Sequence, residues 1–364
     1  MHVLILSCNT GQGHNSAAHA IKEALQRRGD SCEFHNALLF LSQVHDKIIC
    51  DGHTFVYRRM PKLFGVGYRY EERHSPKFIC SQMRLGVGKF QAFIEKRNFD
   101  AVICTHSFAS ILVNEYKKQT GHNILNAFVA TDYTCCPGAP ESECDIYFTP
   151  HPLLNSEFVS CGISSTKVVP LGIPVSEQFL IPTEKAAARK ELGLPNNKKI
   201  VLVGCGSMGC GPIVKMSALL SRRLPGELIV VACGNNSRLL ERLTRLEHGN
   251  ILPLPYTKKM ALYLSAADVF ISKAGGLSTT EAICKQTPLL YIDAVPGCET
   301  RNIDFMIENG YASSADSPKD AVNKVIGILN NPKHALSGIK ECRSHLAPNP
   351  ADAICSYIEN HIKS

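Results

Sequence analysis

The chain has 364 residues, 45% of them apolar and 20% charged, with a formal net charge of +7. That is an ordinary globular mixture, long enough for one large domain or two ordinary ones with full cores. The charge is too small to point to nucleic acid by itself but suits phosphates or an anionic surface, and no run nears the roughly 18 apolar residues that span a bilayer.

Strand-like apolar runs begin at once, at 2–8, 32–37, 100–106, 126–132 and 145–150, with helical patterns over 16–28, 78–97 and 108–119. Short apolar runs alternating with helices predict a parallel sheet covered on both faces. The run "VVPLGIPVSEQF" (168–179) carries prolines and a glycine and is expected to be a linker. The pattern then restarts, with strands at 198–206, 227–234, 267–276 and 288–293 and helices reaching about Leu224 and over 236–248 and 278–286. The closing "PADAICSYIENHIKS" reads as a short amphipathic helix. Each half is therefore expected to be a doubly wound α/β unit, whose ligands bind beyond the carboxyl ends of the strands.

The 16 cysteines do not read as a disulfide framework, because Cys8, Cys104, Cys205 and Cys233 sit in or beside apolar strands and no CxxC pair occurs. The start "MHVLILSC" enters a strand without a charged leader. Both point to a reduced, cytosolic protein.

Four loops at strand ends carry the chemistry. In "TGQGHNSAAHAIKEAL" (10–25), Gly11 and Gly13 permit a tight turn or close ligand approach, and Asn15 or Ser16 is expected to cap the helix. His14 then projects at a helix N-terminus, where the dipole favours the neutral imidazole, a base or hydrogen-bond acceptor. The plainer alternative is an exposed histidine on an ordinary turn. In "GCGSMGCGP" (204–212), Gly204, Gly206 and Gly209 form a GxGxxG between strand and helix, the setting in which backbone N–H groups cradle phosphate. A nicotinamide enzyme carries an acid at the end of the next strand; here "VVACGNN" places Gly234 and Asn235 there, so the phosphate part of the reading stays and the dinucleotide part goes. In "SKAGGLSTTEA" (272–282), Gly275 and Gly276 end a strand after Lys273, Ser278 is expected to cap the next helix, and Glu281 sits one turn in. That carboxylate suits the two hydroxyls of a ribose, or simply complements the helix dipole. In "PGCETRN" (296–302), Glu299 and Asn302 are spaced for one helical face and suit sugar hydroxyls, or form a solvated helix start. Taken together, the last three loops describe a nucleotide-sugar site.

A different signal lies in "FVYRRMPKLFGVGYRYEERHSPKF" (55–78), which interleaves aromatics, including Phe64 and Tyr68, with Arg58, Arg59, Lys62 and Arg69. Such a mixture suits an anionic membrane interface, or a charged helix face over a core edge.

At these residues the sequence resembles the monogalactosyldiacylglycerol synthase and processive diacylglycerol glucosyltransferase family, in glycosyltransferase family 28. The stretches Gly11–Ala24, "DAVICTHSFAS" (100–110), "VATD" (129–132), "SKAGGLSTTEA" and "PGCETRN" carry the resemblance in order along nearly the whole chain. It implies a GT-B fold: two facing Rossmann-like domains, over 1–172 and 173–346, with a C-terminal helix (347–364) packing back on the first. It implies donor-binding residues Gly204, Gly206, Ser207, Gly209, Lys273, Gly275, Gly276, Ser278, Glu281, Glu299 and Asn302, and acceptor-loop residues Gly11, Gly13 and Asn15. Within these, Gly206 and Ser207 would face the diphosphate, Glu281 the ribose, and Glu299 with Asn302 the sugar. His14 would lie at the acceptor end with Asp132 near it. The segment "TDYTCCPGAPESECD" departs from the family pattern, having Cys136 before its first proline, and the chain has no Trp.

The expected activity is inverting transfer of a glucose or galactose from a UDP-sugar to diacylglycerol. His14 is the expected base, with Asp132 as an alternative base or as the group orienting His14. No metal-binding carboxylate pair stands out, so no metal or other cofactor is expected. The expected partners are a UDP-sugar, a diacylglycerol-like lipid and an anionic membrane, with no nucleic acid, and the expected location is the cytoplasm, peripheral on the inner face of the cell membrane. The alternatives are a GT-B transferase with another acceptor, a UDP-sugar epimerase or hydrolase, a non-catalytic nucleotide-sugar binder and a nicotinamide oxidoreductase.

Overall fold

The computed structural model describes residues 1–74, 77–204, 212–246, 249–292 and 294–363. The chain forms two compact units. The first comprises Met1–Glu177, Val295–Cys298 and Leu346–Ser364, and the second comprises Gln178–Ala294 and Glu299–His345.

The first unit runs β1 (His2–Ser7), α1 (Gln12–Arg27), β2 (Ser31–Asn36), α2 (Gln43–Arg59), α3 (Pro61–Arg73), α4 (Lys77–Leu85), α5 (Val87–Ile94), β3 (Ala101–Cys104), α6 (Ser107–Thr120), β4 (Leu125–Val129), β5 (Ile146–Thr149), α7 (Asn155–Ser160) and β6 (Val168–Pro170). Its sheet is parallel, in the order β2-β1-β3-β4-β5-β6. Alternation along β1 divides its side chains between two cores. Leu4 and Leu6 join Phe90, Leu112 and Tyr116 on one face, while Val3 and Ile5 join Ile21, Leu25, Ile354 and Ile358 on the other.

The second unit runs α8 (Lys185–Glu191), β7 (Ile200–Gly204), α9 (Ile213–Arg223), β8 (Leu228–Ala232), α10 (Ser237–Thr244), β9 (Ile251–Leu254), α11 (Met260–Ala266), β10 (Val269–Ser272), α12 (Gly276–Cys284), β11 (Leu289–Ile292), α13 (Cys298–Glu308), β12 (Ser313–Ala315), α14 (Pro318–Asn330) and α15 (Lys333–Ser344). Its parallel sheet has the order β12-β11-β10-β7-β8-β9. The last helix, α16 (Pro350–Lys363), packs on α1 in the first unit, where Arg28 meets Glu359 and Arg27 meets Asp352 at 3.0 Å.

Strand order reverses between β1 and β3 in the first sheet, and between β7 and β10 in the second. At such switch points the loops leaving the carboxyl ends diverge and open a crevice for ligands. The loops holding His14, the GxGxxG and "SKAGG" all leave these strands.

Three expectations need correction. The linker expected at 168–179 begins as β6; Pro170 is tolerated there because β6 is an edge strand. The helix expected over 78–97 is two helices, α4 and α5, separated at Gly86. A side chain there would crowd Leu41 and Leu112, its Cβ lying 3.3 Å from each. Neither α1 nor α12 has the expected side-chain cap. Gly11 and Gly275 occupy the N-cap positions in extended conformation, and Ser16 and Ser278 lie inside their helices.

Candidate active site

The β1–α1 turn places His14 third in α1, half-buried. Its Nδ1 lies 2.9 Å from the Thr105 carbonyl, just past β3, and 2.8 Å from the Thr131 hydroxyl, just past β4. A carbonyl oxygen only accepts, so Nδ1 carries the proton and Nε2 keeps the lone pair. Burial lowers the His14 pKa, and the hydrogen bond to Thr105 opposes that only in part. His14 is therefore a neutral imidazole with a basic nitrogen, at a helix N-terminus that also disfavours its cation.

His106 stands beside it, the ring centroids 4.6 Å apart. It is the N-cap of α6, where its Nδ1 accepts the Phe108 N–H at 3.1 Å. Asp132 lines the same cavity as both histidines but makes no hydrogen bond to His14 among the described residues. The groups that orient His14 are thus the Thr105 carbonyl and the Thr131 hydroxyl. Asn15 is turned to Asn9, its amide donating at 2.9 Å, while Gly11 and Gly13 flank Gln12 at the start of the helix.

The cavity has a volume of about 660 Å³. One end is polar, with His14, His106, Thr131 and Asp132. The rest is mainly apolar, lined by Ile49 and Val56 from α2, Leu63, Phe64 and Val66 from α3, and Phe108 and Phe128, with Tyr70 and Glu71 of α3 as polar exceptions. Size and lining suit a ligand with a long apolar body and a small polar head. The segment that departs from the family pattern is packed into the wall. Glu157 accepts from the Thr134 hydroxyl at 2.6 Å and the Cys135 N–H at 2.8 Å, and Cys136 and Pro137 line the cavity.

The aromatic and basic stretch divides by face. Tyr68 is buried, its ring against Gly297 together with half-buried Phe64, so Tyr68 is unavailable to a membrane surface. Arg59, Lys62 and Arg69 are exposed, and so are Ile48, Phe55, Leu63, Val66 and Phe78. The Arg58 side chain lies outside the described residues. Sequence reasoning picked out Phe55 but missed Ile48, Leu63 and Val66, because α2 and α3 were read only for their charges and aromatics.

In the second unit, β7 ends at Gly204, where an added Cβ would lie 3.1 Å from the Phe270 ring. Gly206, Ser207 and Gly209 lie outside the described residues. After β10, Lys273 is buried and Gly275 opens α12, leaving the first backbone N–H groups of that helix uncapped by a side chain. Glu281 lies in the second turn of α12 rather than the first. Its carboxyl has no hydrogen-bonding or ion-pair partner among the described residues, and burial pushes its pKa up to about 8. Glu299 is in the first turn of α13 and half-buried. Asn302 is fully buried, its amide donating to the Ala274 carbonyl at 2.6 Å, which ties α13 to the loop after β10.

Comparison with known proteins gives a consistent picture. Residues 14–175 match the family model for monogalactosyldiacylglycerol (MGDG) synthase, and residues 200–295 match the glycosyltransferase family 28 C-terminal domain. The chain is 24% identical over 370 residues to a processive diacylglycerol beta-glucosyltransferase of Staphylococcus saprophyticus, covering 98% of this chain and 92% of the relative. It is 27% identical over 353 residues to the protein of that name from Bacillus pumilus, covering 93% and 89%. Among solved structures, Acinetobacter baumannii MurG aligns with a TM-score of 0.67 at 16% identity over 99% of both chains. The UDP-GlcNAc 2-epimerase from Neisseria meningitidis aligns with a TM-score of 0.63 at 13% identity, over 99% of this chain and 100% of that one. These likenesses, with the two parallel six-stranded sheets, place the fold in the GT-B class.

Proposed function

The chain belongs to the monogalactosyldiacylglycerol synthase and processive diacylglycerol glucosyltransferase family, and from that premise we propose that it moves a hexose from a UDP-sugar to diacylglycerol with inversion at the anomeric carbon. One observation carries the acceptor half of this reading: an apolar cavity that ends at a histidine whose Nδ1 proton is already committed, leaving Nε2 as a base.

In this reading the lipid's acyl part occupies the cavity and its free hydroxyl lies at His14. Nε2 takes the hydroxyl proton as the oxygen attacks the anomeric carbon. The new carbon–oxygen bond forms as the bond to the diphosphate breaks, and UDP leaves with the electron pair. The uncapped N–H groups at the start of α12 and the GxGxxG segment stabilise that charge, so no metal is required. Glu281 accepts from the ribose, and Glu299 from the sugar. Asn302 supports them by holding Ala274.

The exposed apolar and basic residues of α2–α4 support binding to an anionic membrane, from which diacylglycerol would be drawn. No helix among the described residues is long and apolar enough to cross a membrane.

The test is incubation of the purified protein with UDP-glucose, UDP-galactose or UDP-N-acetylglucosamine and diacylglycerol in mixed micelles, with mass analysis of the lipid. A hexosyl diacylglycerol supports the proposal. Free sugar or an epimerised donor, with the lipid unchanged, contradicts it.

A further inference from the structure

Thr131 stands next to the acid that the sequence singles out, yet it is the residue in contact with His14. Its hydroxyl oxygen is 2.8 Å from His14 Nδ1, and the residue is only 7% exposed. The backbone beside each of the two oxygens that hold His14 is anchored to the sheet. The Thr105 N–H donates to the Leu6 carbonyl at 3.0 Å, and the Ala130 N–H, one residue before Thr131, donates to the Phe148 carbonyl at 3.0 Å. The imidazole is thus pinned between the carboxyl ends of β3 and β4, beside the switch point of the first sheet.

We propose that Thr131 is a positioning residue for the transfer reaction: its hydroxyl oxygen shares the Nδ1 proton with the Thr105 carbonyl and so aims the Nε2 lone pair at the acceptor hydroxyl. This rests on the assignment of His14 as the base. The chemistry of the pair has a consequence. Both groups at Nδ1 are uncharged, whereas a carboxylate there would stabilise the imidazolium and raise the pH below which the base is lost. The titratable groups sharing the cavity with His14 are His106 from the start of α6, Asp132 and Cys136 from the segment after β4, Tyr68, Tyr70 and Glu71 from α3, and Cys298. Among the described residues none of these hydrogen-bonds to His14.

The experiment compares kcat, KM and the pH profile of the full chain with Thr131→Val, Thr131→Ser and Thr131→Asp, alongside His14→Ala. One lost hydrogen bond predicts that Thr131→Val lowers kcat about tenfold with both KM values within about twofold. Thr131→Ser, which restores the oxygen, should recover kcat to within about threefold. Thr131→Asp should move the acid limb of the profile up by about one unit. Wild-type kcat in Thr131→Val overturns the proposal, as does a Thr131→Ser variant no better than valine or an acid limb unmoved in a folded Thr131→Asp protein. The two ideas fail separately. Full turnover in His14→Ala removes the base itself. An inactive His14→Ala with an undiminished Thr131→Val removes only the positioning role.

Discussion

The ring of His106 stands edge-on to that of His14 at an interplanar angle of 64°, while its own Nδ1 caps helix α6 by accepting the Phe108 N–H. The two rings are therefore held in opposite tautomers: His14 keeps its proton on Nδ1, and His106 can carry one only on Nε2 while the cap holds. A proton added at His106 Nδ1 would displace the Phe108 N–H and break the helix cap.

That arrangement separates structure from turnover at His106. Asn is as good a cap as any, whereas Ala removes it and costs about 1 kcal/mol. His106→Asn should keep the wild-type melting temperature and His106→Ala should lower it, as read by circular dichroism. Both should lower kcat, because both remove the ring that packs on His14. A His106→Asn protein with full activity would show that the ring contributes only the cap.

For His14 itself, substitution by Ala should cut turnover at least about a hundredfold, the ordinary contribution of a general base, and leave UDP affinity unchanged. Since burial lowers its pKa, the basic form persists below the ordinary value of about 6.5, and activity should fall only on acidification past that point. An acid limb centred above 7 in the kcat/KM profile would contradict this.

Glu281 gives a prediction of opposite sign. Its folded-state pKa of about 8 lies above its ordinary value of 4.5. The protonated carboxyl therefore favours the folded state fully below about 4.5, and that advantage is lost as pH rises through 8. The melting temperature of Glu281→Gln should overtake that of wild type progressively between pH 5 and about 8.5. Binding responds as well: if the carboxylate accepts the ribose hydroxyls, wild-type affinity for UDP should rise over the same window and that of the Gln variant should not. Calorimetry at three pH values reads both. Parallel pH dependence in the two proteins would remove Glu281 from the donor site.

The exposed face of α2–α4 predicts a membrane response. With roughly 1 kcal/mol per basic residue near an anionic surface, the triple change Arg59→Glu, Lys62→Glu and Arg69→Glu should weaken binding to phosphatidylglycerol vesicles by about a hundredfold or more. Leu63→Asp with Phe78→Asp should weaken it at any salt concentration. Co-sedimentation that is unaffected by both sets would show that this face does not meet the lipid.

How much of this was legible in the sequence depends on range. The strands around both switch points, such as β1 and β10, are continuous apolar runs and are read directly. Edge strands β6 and β9 are not, because each is short and carries a proline that only an edge accepts. The glycine-rich turns were recognisable, but glycine rather than the neighbouring Asn or Ser took the N-cap, and Asn15 turned to Asn9 instead. His14 stood out by its position at a strand end. Thr131 did not, because its contact with His14 spans 117 residues and exists only once the sheet is ordered. Burial of Asn302 is likewise a tertiary fact; the i, i+3 spacing from Glu299 suggested a shared face and could not show that one member would be sealed inside.

Direct displacement by a lipid hydroxyl activated at His14 is read most directly in the stereochemistry of the product. Proton NMR of the glycolipid made from a UDP-α-hexose and diacylglycerol should show a β-glycosidic linkage, formed at least about a hundredfold more slowly by His14→Ala. An α-linked product, or a sugar delivered to water while diacylglycerol is left unmodified, would contradict it.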